Sequence, residues 1–70
     1  MDYLQQIIEA TKTRLKAVPA GARQASWQYA DRHIRDAEML MQRGAFEPAM
    51  EKAQQAREAT DRAEALAAWL

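Results

Sequence analysis

The sequence predicts an all-α fold, a three-helix chain built around an antiparallel helical hairpin. Helix breakers are rare, since the 70 residues include only two glycines and two prolines, and they divide the chain into three segments. Within each segment, apolar residues recur at alternating spacings of three and four, which is the period of packed helices. We therefore expect helices over about residues 2–18, 22–43 and 47–69 in a single small domain, 1–70.

The first predicted helix ends just before Pro19 and Gly21. Its apolar seam consists of Leu4, Ile8, Thr11, Leu15 and Val18, and Tyr3 and Ile7 widen it. This amphipathic pattern predicts a helix that buries one face. The sequence leaves open whether this N-terminal helix, 1–18, packs on its own hairpin or on a partner.

The second and third predicted helices have complementary seams. The seam of helix 2 includes large side chains and consists of Trp27, Ala30, Ile34, Ala37 and Met41. The seam of helix 3 is mostly alanine and consists of Ala49, Ala53, Ala56, Thr60, Ala63, Ala67 and Leu70. Small residues facing large ones allow two helices to pack closely. Gly44 is expected to adopt the left-handed conformation that closes helix 2, and Pro48 fits the first turn of helix 3. The short connection predicts an antiparallel hairpin over 22–69.

Composition limits the ways in which such a small domain is stabilised. Hydrophobic residues make up 49% of the chain, but 16 of them are alanine, and there is no cysteine for a disulfide or a thiolate metal site. A small core without a covalent or metal staple favours oligomerisation or a partner as the source of further stability. We therefore predict a protein partner or self-association as a homo-oligomer.

Charge and hydropathy argue against several other classes of protein. Ten Lys and Arg residues balance ten Asp and Glu residues, so no strong field attracts nucleic acid or an anionic membrane surface. No apolar run approaches the ~20 residues of a membrane span, and the acidic start is unlike a secretory signal. We expect a cytoplasmic protein that contacts no membrane.

The sequence lacks the residue constellations of catalysis. His33 is the only histidine, the only serine lies seven residues before it, and no cysteine is present. No Glu-x-x-His or His-x-x-x-His spacing provides a metal site, and no glycine-rich loop provides a phosphate site. The interpretation is a protein that is not an enzyme, with no cofactor, no metal and no small-molecule substrate.

Apolar residues outside the seams are the candidates for partner binding. They are Tyr29, Met39, Leu40, Met50 and Trp69. On a helical wheel, Met39 and Trp69 lie among charged residues, and exposed methionine and aromatic residues are typical of interfaces. Tyr29 and Leu40 extend the seam of helix 2 sideways, so cover by helix 1 is the favoured explanation for these two residues.

The turn between helices 2 and 3 resembles one hairpin of the tetratricopeptide family. Gly44 at the turn, Phe46 two residues later, then Ala49, Ala53 and Ala56 follow the order of that repeat. Ala53 departs from the family pattern, which usually has an aromatic residue there. The resemblance covers about 20–30 residues and implies a tight helical hairpin, whereas a solenoid needs about three repeats.

A second resemblance covers more of the chain. The runs Arg43-Gly44-Ala45, Gln54-Gln55-Ala56-Arg57 and Ala65-Leu66 are similar to small co-chaperones of type III secretion needle proteins, which are cysteine-free helical hairpins. This resemblance implies a subunit that covers an aggregation-prone helical protein alongside a larger tetratricopeptide-like chaperone. Our interpretation is a small adaptor or chaperone-like interaction module. The alternative is a small regulatory nucleic-acid-binding or antitoxin-like protein, although acidic residues interrupt the arginines of helix 2.

Overall fold

The computed structural model describes residues 2–69 and contains three α-helices. Helix α1 spans Tyr3–Ala17, α2 spans Ala25–Gln42 and α3 spans Phe46–Ala67, and a 3-10 turn at Ala20–Ala22 lies between α1 and α2. Within the described part of the chain there is no strand. The prediction of an all-α, three-helix fold is therefore confirmed.

The start of α2 differs from the prediction by about one turn. The Ala22 amide donates to the Pro19 carbonyl at 2.9 Å, closing a 3-10 turn, and Gln24 is extended. Helix 2 therefore begins at Ala25 and not at residue 22. The periodic pattern missed this because a short 3-10 turn after proline also satisfies its amides locally.

The connection between α2 and α3 confirms the prediction for Gly44, whose φ is 80°. The Gly44 amide donates to the Met41 carbonyl at 3.0 Å and the Ala45 amide to the Leu40 carbonyl at 2.9 Å. These two bonds form the Schellman pattern that satisfies carbonyls at a helix end. Because only residues 43–45 separate the two helices, α3 runs antiparallel to α2.

Helix α1 packs against both helices of the hairpin, which answers the question that the sequence left open. The buried apolar residues are Leu4, Ile7, Ile8, Leu15, Val18, Ala22, Ala30, Ile34, Ala37, Ala49, Ala53, Ala56, Ala59 and Ala63. Two seam predictions are wrong: Tyr3 is 59% exposed, and Ala59, outside the predicted seam, is fully buried. Leu70 of the predicted seam lies outside the described residues.

Polar contacts fix the direction of α1. The Trp27 indole Nε1 donates to the Leu15 carbonyl at 2.8 Å, which places the end of α1 beside the start of α2. The Arg14 guanidinium donates to Glu64 at 2.6 Å and to Asp61 at 2.5 Å, near the end of α3. Helix α1 is therefore antiparallel to α2 and parallel to α3.

Candidate interaction surfaces

Helix α1 covers one side of the α2–α3 hairpin and leaves the other side open. On α2, Trp27, Ile34 and Glu38 line a groove shared with α1, so the opposite flank of this helix carries Tyr29, His33 and Leu40. On α3, Arg14 of α1 engages Asp61 and Glu64, so the opposite flank carries Gln55, Arg62 and Leu66. We call the surface formed by these two outer flanks the open face.

The open face has an apolar end. Tyr29 and Leu66 are 44% and 42% exposed, and Trp69, which follows the end of α3, is 88% exposed. Because α2 and α3 are antiparallel, the start of α2 and the end of α3 lie at the same end of the molecule. Tyr29 therefore lies in the half of the hairpin remote from the turn, the half that also contains Leu66 and Trp69.

The Tyr29 ring has a defined neighbour. It stacks on the His33 ring with centroids 3.9 Å apart and an interplanar angle of 22°, and His33 Nδ1 lies 3.0 Å from the Tyr29 carbonyl oxygen. The expectation that helix 1 covers Tyr29 is wrong, because α1 docks on the opposite flank of α2. A ring held by stacking loses less rotational freedom on binding than a free one.

The other predicted binding residues lie elsewhere. Leu40 and Met50 are half-buried and pack against the core. The core position expected for Leu40 is found, but cover by helix 1 is not, because Leu40 lies on the flank of α2 opposite α1. Met39 is 43% exposed, but ten residues separate it from Tyr29, which is about 15 Å along the axis and about 80° around it. The five candidates therefore do not form one continuous surface.

Three further exposed apolar residues were not among the predicted binding residues: Tyr3, Phe46 and Leu66. Tyr3 and Phe46 begin the two parallel helices α1 and α3, so they lie at the opposite end from Trp69. Leu66 was detectable, since it is a large apolar residue outside the alanine seam of its helix.

A concave surface, the α1–α2 groove, has a volume of about 350 Å³. Its floor is formed by Leu15, Trp27 and Ile34. Its walls are charged and consist of Lys12, Lys16, Arg23, Asp31, Arg35 and Glu38. Two ion pairs lie in these walls: Lys12 Nζ is 3.0 Å from Glu38 Oε2, and Arg35 Nε is 3.1 Å from Asp31 Oδ2.

On the other side of α1, Arg14 changes the titration of Glu64. The hydrogen bond from Arg14 holds the pKa of the Glu64 carboxylate below its ordinary value. The hydrogen bonds to Glu64 and Asp61 in turn raise the pKa of Arg14. These groups attach α1 to α3. Among residues 2–69, the ion pairs of α1 are with Glu38, Asp61 and Glu64, none of which lies on the open face.

Comparison with protein-family models, with curated proteins and with solved structures finds no match. Over residues 2–69, no three metal-binding side chains form a cluster, and none of the helices has the length and apolarity to cross a membrane. The class that the geometry defines is an all-α three-helix protein with two candidate interaction surfaces.

Proposed function

We propose that this chain is a non-enzymatic protein–protein interaction module, a small adaptor or chaperone-like subunit that binds a partner helix on its open face. The observation that carries the proposal is the apolar end of that face, where Tyr29, Leu66 and Trp69 are exposed. Exposed aromatic residues are enriched at interfaces. Helix α1 does not cover them, because it occupies the opposite side of the hairpin.

A helix is the partner shape that suits this surface. Two antiparallel helices form a long shallow channel between their outer flanks, and an amphipathic helix is the element that recurrently fills such channels. The middle of the open face is polar, with His33 on α2 and Gln55 on α3. The partner helix therefore needs an apolar residue at the Tyr29 end and polar residues along its middle turns.

The similarity to needle co-chaperones supports a more particular form of the proposal. In that form, the partner is an aggregation-prone helical subunit held in the cytoplasm until export, with a larger tetratricopeptide-like chaperone in the same complex. Partner binding would also add buried apolar area to a core in which alanine predominates.

The test is capture of the native partner by the tagged full chain, followed by native mass spectrometry. We expect a defined complex with fixed stoichiometry that Tyr29→Ala combined with Leu66→Ser weakens by at least tenfold, since buried anchors carry most interface energy. Tyr3→Ala removes an exposed tyrosine at the other end of the molecule and is the matched control. Equal capture by the open-face variant and by wild type would contradict the proposal.

One observation favours the alternative function of nucleic-acid binding. Arg32 and Arg43 are exposed on the outer side of α2, around Met39, and the exposed Arg35 lies beside them in the wall of the α1–α2 groove. Arg35, however, is already paired with Asp31. A salt-dependent gel shift with duplex DNA that Arg32→Gln abolishes would support this alternative over the interaction module.

A further inference from the structure

The α1–α2 groove is positively charged, although the whole chain has a formal net charge of zero. Four cationic and two anionic side chains line it, which gives a local net charge of +2. Both carboxylates are paired within the walls, Glu38 with Lys12 and Asp31 with Arg35. Lys16 and Arg23 remain as cations that make no ion pair within residues 2–69.

The Arg23 guanidinium is held in place at one end of the groove. It lies 4.6 Å from the centroid of the Trp27 ring, and its Nε donates to the Val18 carbonyl at 3.1 Å. The Trp27 ring is itself fixed by its bond to Leu15. Because a guanidinium has five N–H groups, donors remain for a ligand, and the fixed position lowers the entropy cost of binding one.

Beyond the groove, the outer side of α2 carries the exposed Arg32 and Arg43 around Met39, with Asp36 among them. On the outer surface of α3, acidic residues alternate with basic ones, as in Glu51-Lys52, Arg57-Glu58 and Asp61-Arg62. A second copy of this chain therefore offers no uniformly acidic helix to the groove. The matching occupant is an acidic segment of another protein.

The length of the groove favours a peptide segment over a small anion. Along α2 it extends from Trp27 to Glu38, which is about 17 Å or three helical turns. We propose that the α1–α2 groove docks an acidic segment of a partner protein, with carboxylates on Lys16 and Arg23 and an aliphatic side chain against the Trp27 ring. This inference rests on the proposed function, since it requires a protein partner, and it adds a second docking surface to the open face.

The two tryptophans report the two surfaces separately, since Trp27 lies in the groove and Trp69 does not. The experiment is NMR of the nitrogen-labelled full chain, with the two indole N–H signals followed during titration. The probe is a capped alanine-based helical peptide that carries one leucine flanked by glutamates on one face. The matched control peptide carries glutamine in place of each glutamate.

We expect the glutamate peptide to shift the Trp27 indole signal, to leave the Trp69 signal unchanged and to bind more weakly as salt is raised. The glutamine peptide is expected to bind at least about tenfold more weakly. Lys16→Gln is expected to weaken the glutamate peptide about fivefold without unfolding the chain, because Lys16 is exposed. Arg62→Gln removes the same charge from the open face and should leave this affinity unchanged.

Four outcomes would overturn the inference. They are equal binding of both peptides, a shift of Trp69 alone, no shift at millimolar glutamate peptide, and an equally strong shift with inorganic phosphate, which would define a small-anion site. Failure of the proposed function is distinguishable, because that proposal is tested by capture of the native partner with open-face variants. If capture depends on Tyr29 and Leu66 while the groove binds no acidic peptide, only the groove inference is wrong.

Discussion

The two interfaces inside this molecule are built on opposite principles. Helices α2 and α3 meet through alanines such as Ala37, Ala53 and Ala56, all fully buried, so their contact depends on the absence of side-chain volume. Helix α1 contributes large aliphatic residues such as Ile8 and Leu15 and is framed by ion pairs. Adding side-chain volume should therefore destabilise the α2–α3 interface, whereas removing side-chain volume should destabilise the packing of α1.

The largest effect is expected from truncation in α1. Ile8 is among the largest fully buried side chains, so Ile8→Ala should lower the free energy of unfolding by about 3 kcal/mol, through lost transfer energy and a cavity. Urea denaturation followed by circular dichroism measures this loss. If the alanine variant is unfolded, Ile8→Val should still show a loss of about 1 kcal/mol. Gln6→Ala on the exposed side of α1 is the control, and an Ile8 variant as stable as this control would refute the comparison.

The reverse change tests the hairpin. Ala56 is fully buried, so Ala56→Leu should overpack the α2–α3 interface and cost about 2 kcal/mol. The same substitution at the exposed Ala65 should change the free energy of unfolding by less than about 0.5 kcal/mol. A higher melting temperature for Ala56→Leu than for wild type would mean that the alanine seam does not pack as described. The short axial distance between α2 and α3 that this seam predicts stays a prediction.

Substitutions at the turn that joins α2 and α3 should change stability through backbone conformation and not through steric clashes. A Cβ at Gly44 would meet no atom within 4 Å, but φ is 80°, in the left-handed region. Gly44→Val should therefore cost about 1–2 kcal/mol, and Gly44→Asn less, because asparagine adopts this conformation more readily. Equal denaturation midpoints for these two variants would show that the turn does not depend on left-handed geometry.

The smallest effect concerns the ion pair that attaches α1 to α3. Because Arg14 lowers the pKa of Glu64, this carboxylate stabilises the fold above its ordinary pKa, and the stabilisation disappears as pH falls through the lowered value. Glu64 is 44% exposed, so Glu64→Gln should cost less than about 1 kcal/mol at neutral pH. The difference between variant and wild type should vanish in acid. Glu58→Gln, on the exposed side of α3, is the matched control for loss of a carboxylate.

The number of helices and most of the buried positions were predictable because they follow from the local spacing of apolar residues. The spacing of Ile8, Ile34 and Ala56 identifies which face of each helix is apolar, and Gly44 identifies the turn. The flank of α2 on which α1 docks was not predictable in this way. It is specified by contacts between distant residues, such as Lys12 with Glu38, 26 positions apart, and Arg14 with Glu64, 50 positions apart.

The same dependence on contacts between distant residues explains which parts of the candidate site were predictable. Trp69 was identified from the helical wheel of α3 alone. That wheel was sufficient because Trp69 lies beyond the packed part of α3. Tyr29 was assigned to the core because a wheel for α2 alone does not show which of its two flanks α1 covers. The α1–α2 groove was missed altogether, since its walls come from two helices and the segment between them.

The three-residue turn at 43–45 has a consequence for the order of folding. A short loop costs little closure entropy, and contacts near the turn, such as those of Leu40 with Ala45, join residues close in sequence. We expect the turn end of the hairpin to form in the transition state and α1 to dock afterwards. Conservative variants near the turn should then slow refolding, whereas Ile8→Val should mainly speed unfolding. A chain emerging from the ribosome would accordingly hold its first helix unpaired until nearly the last of these residues had been synthesised.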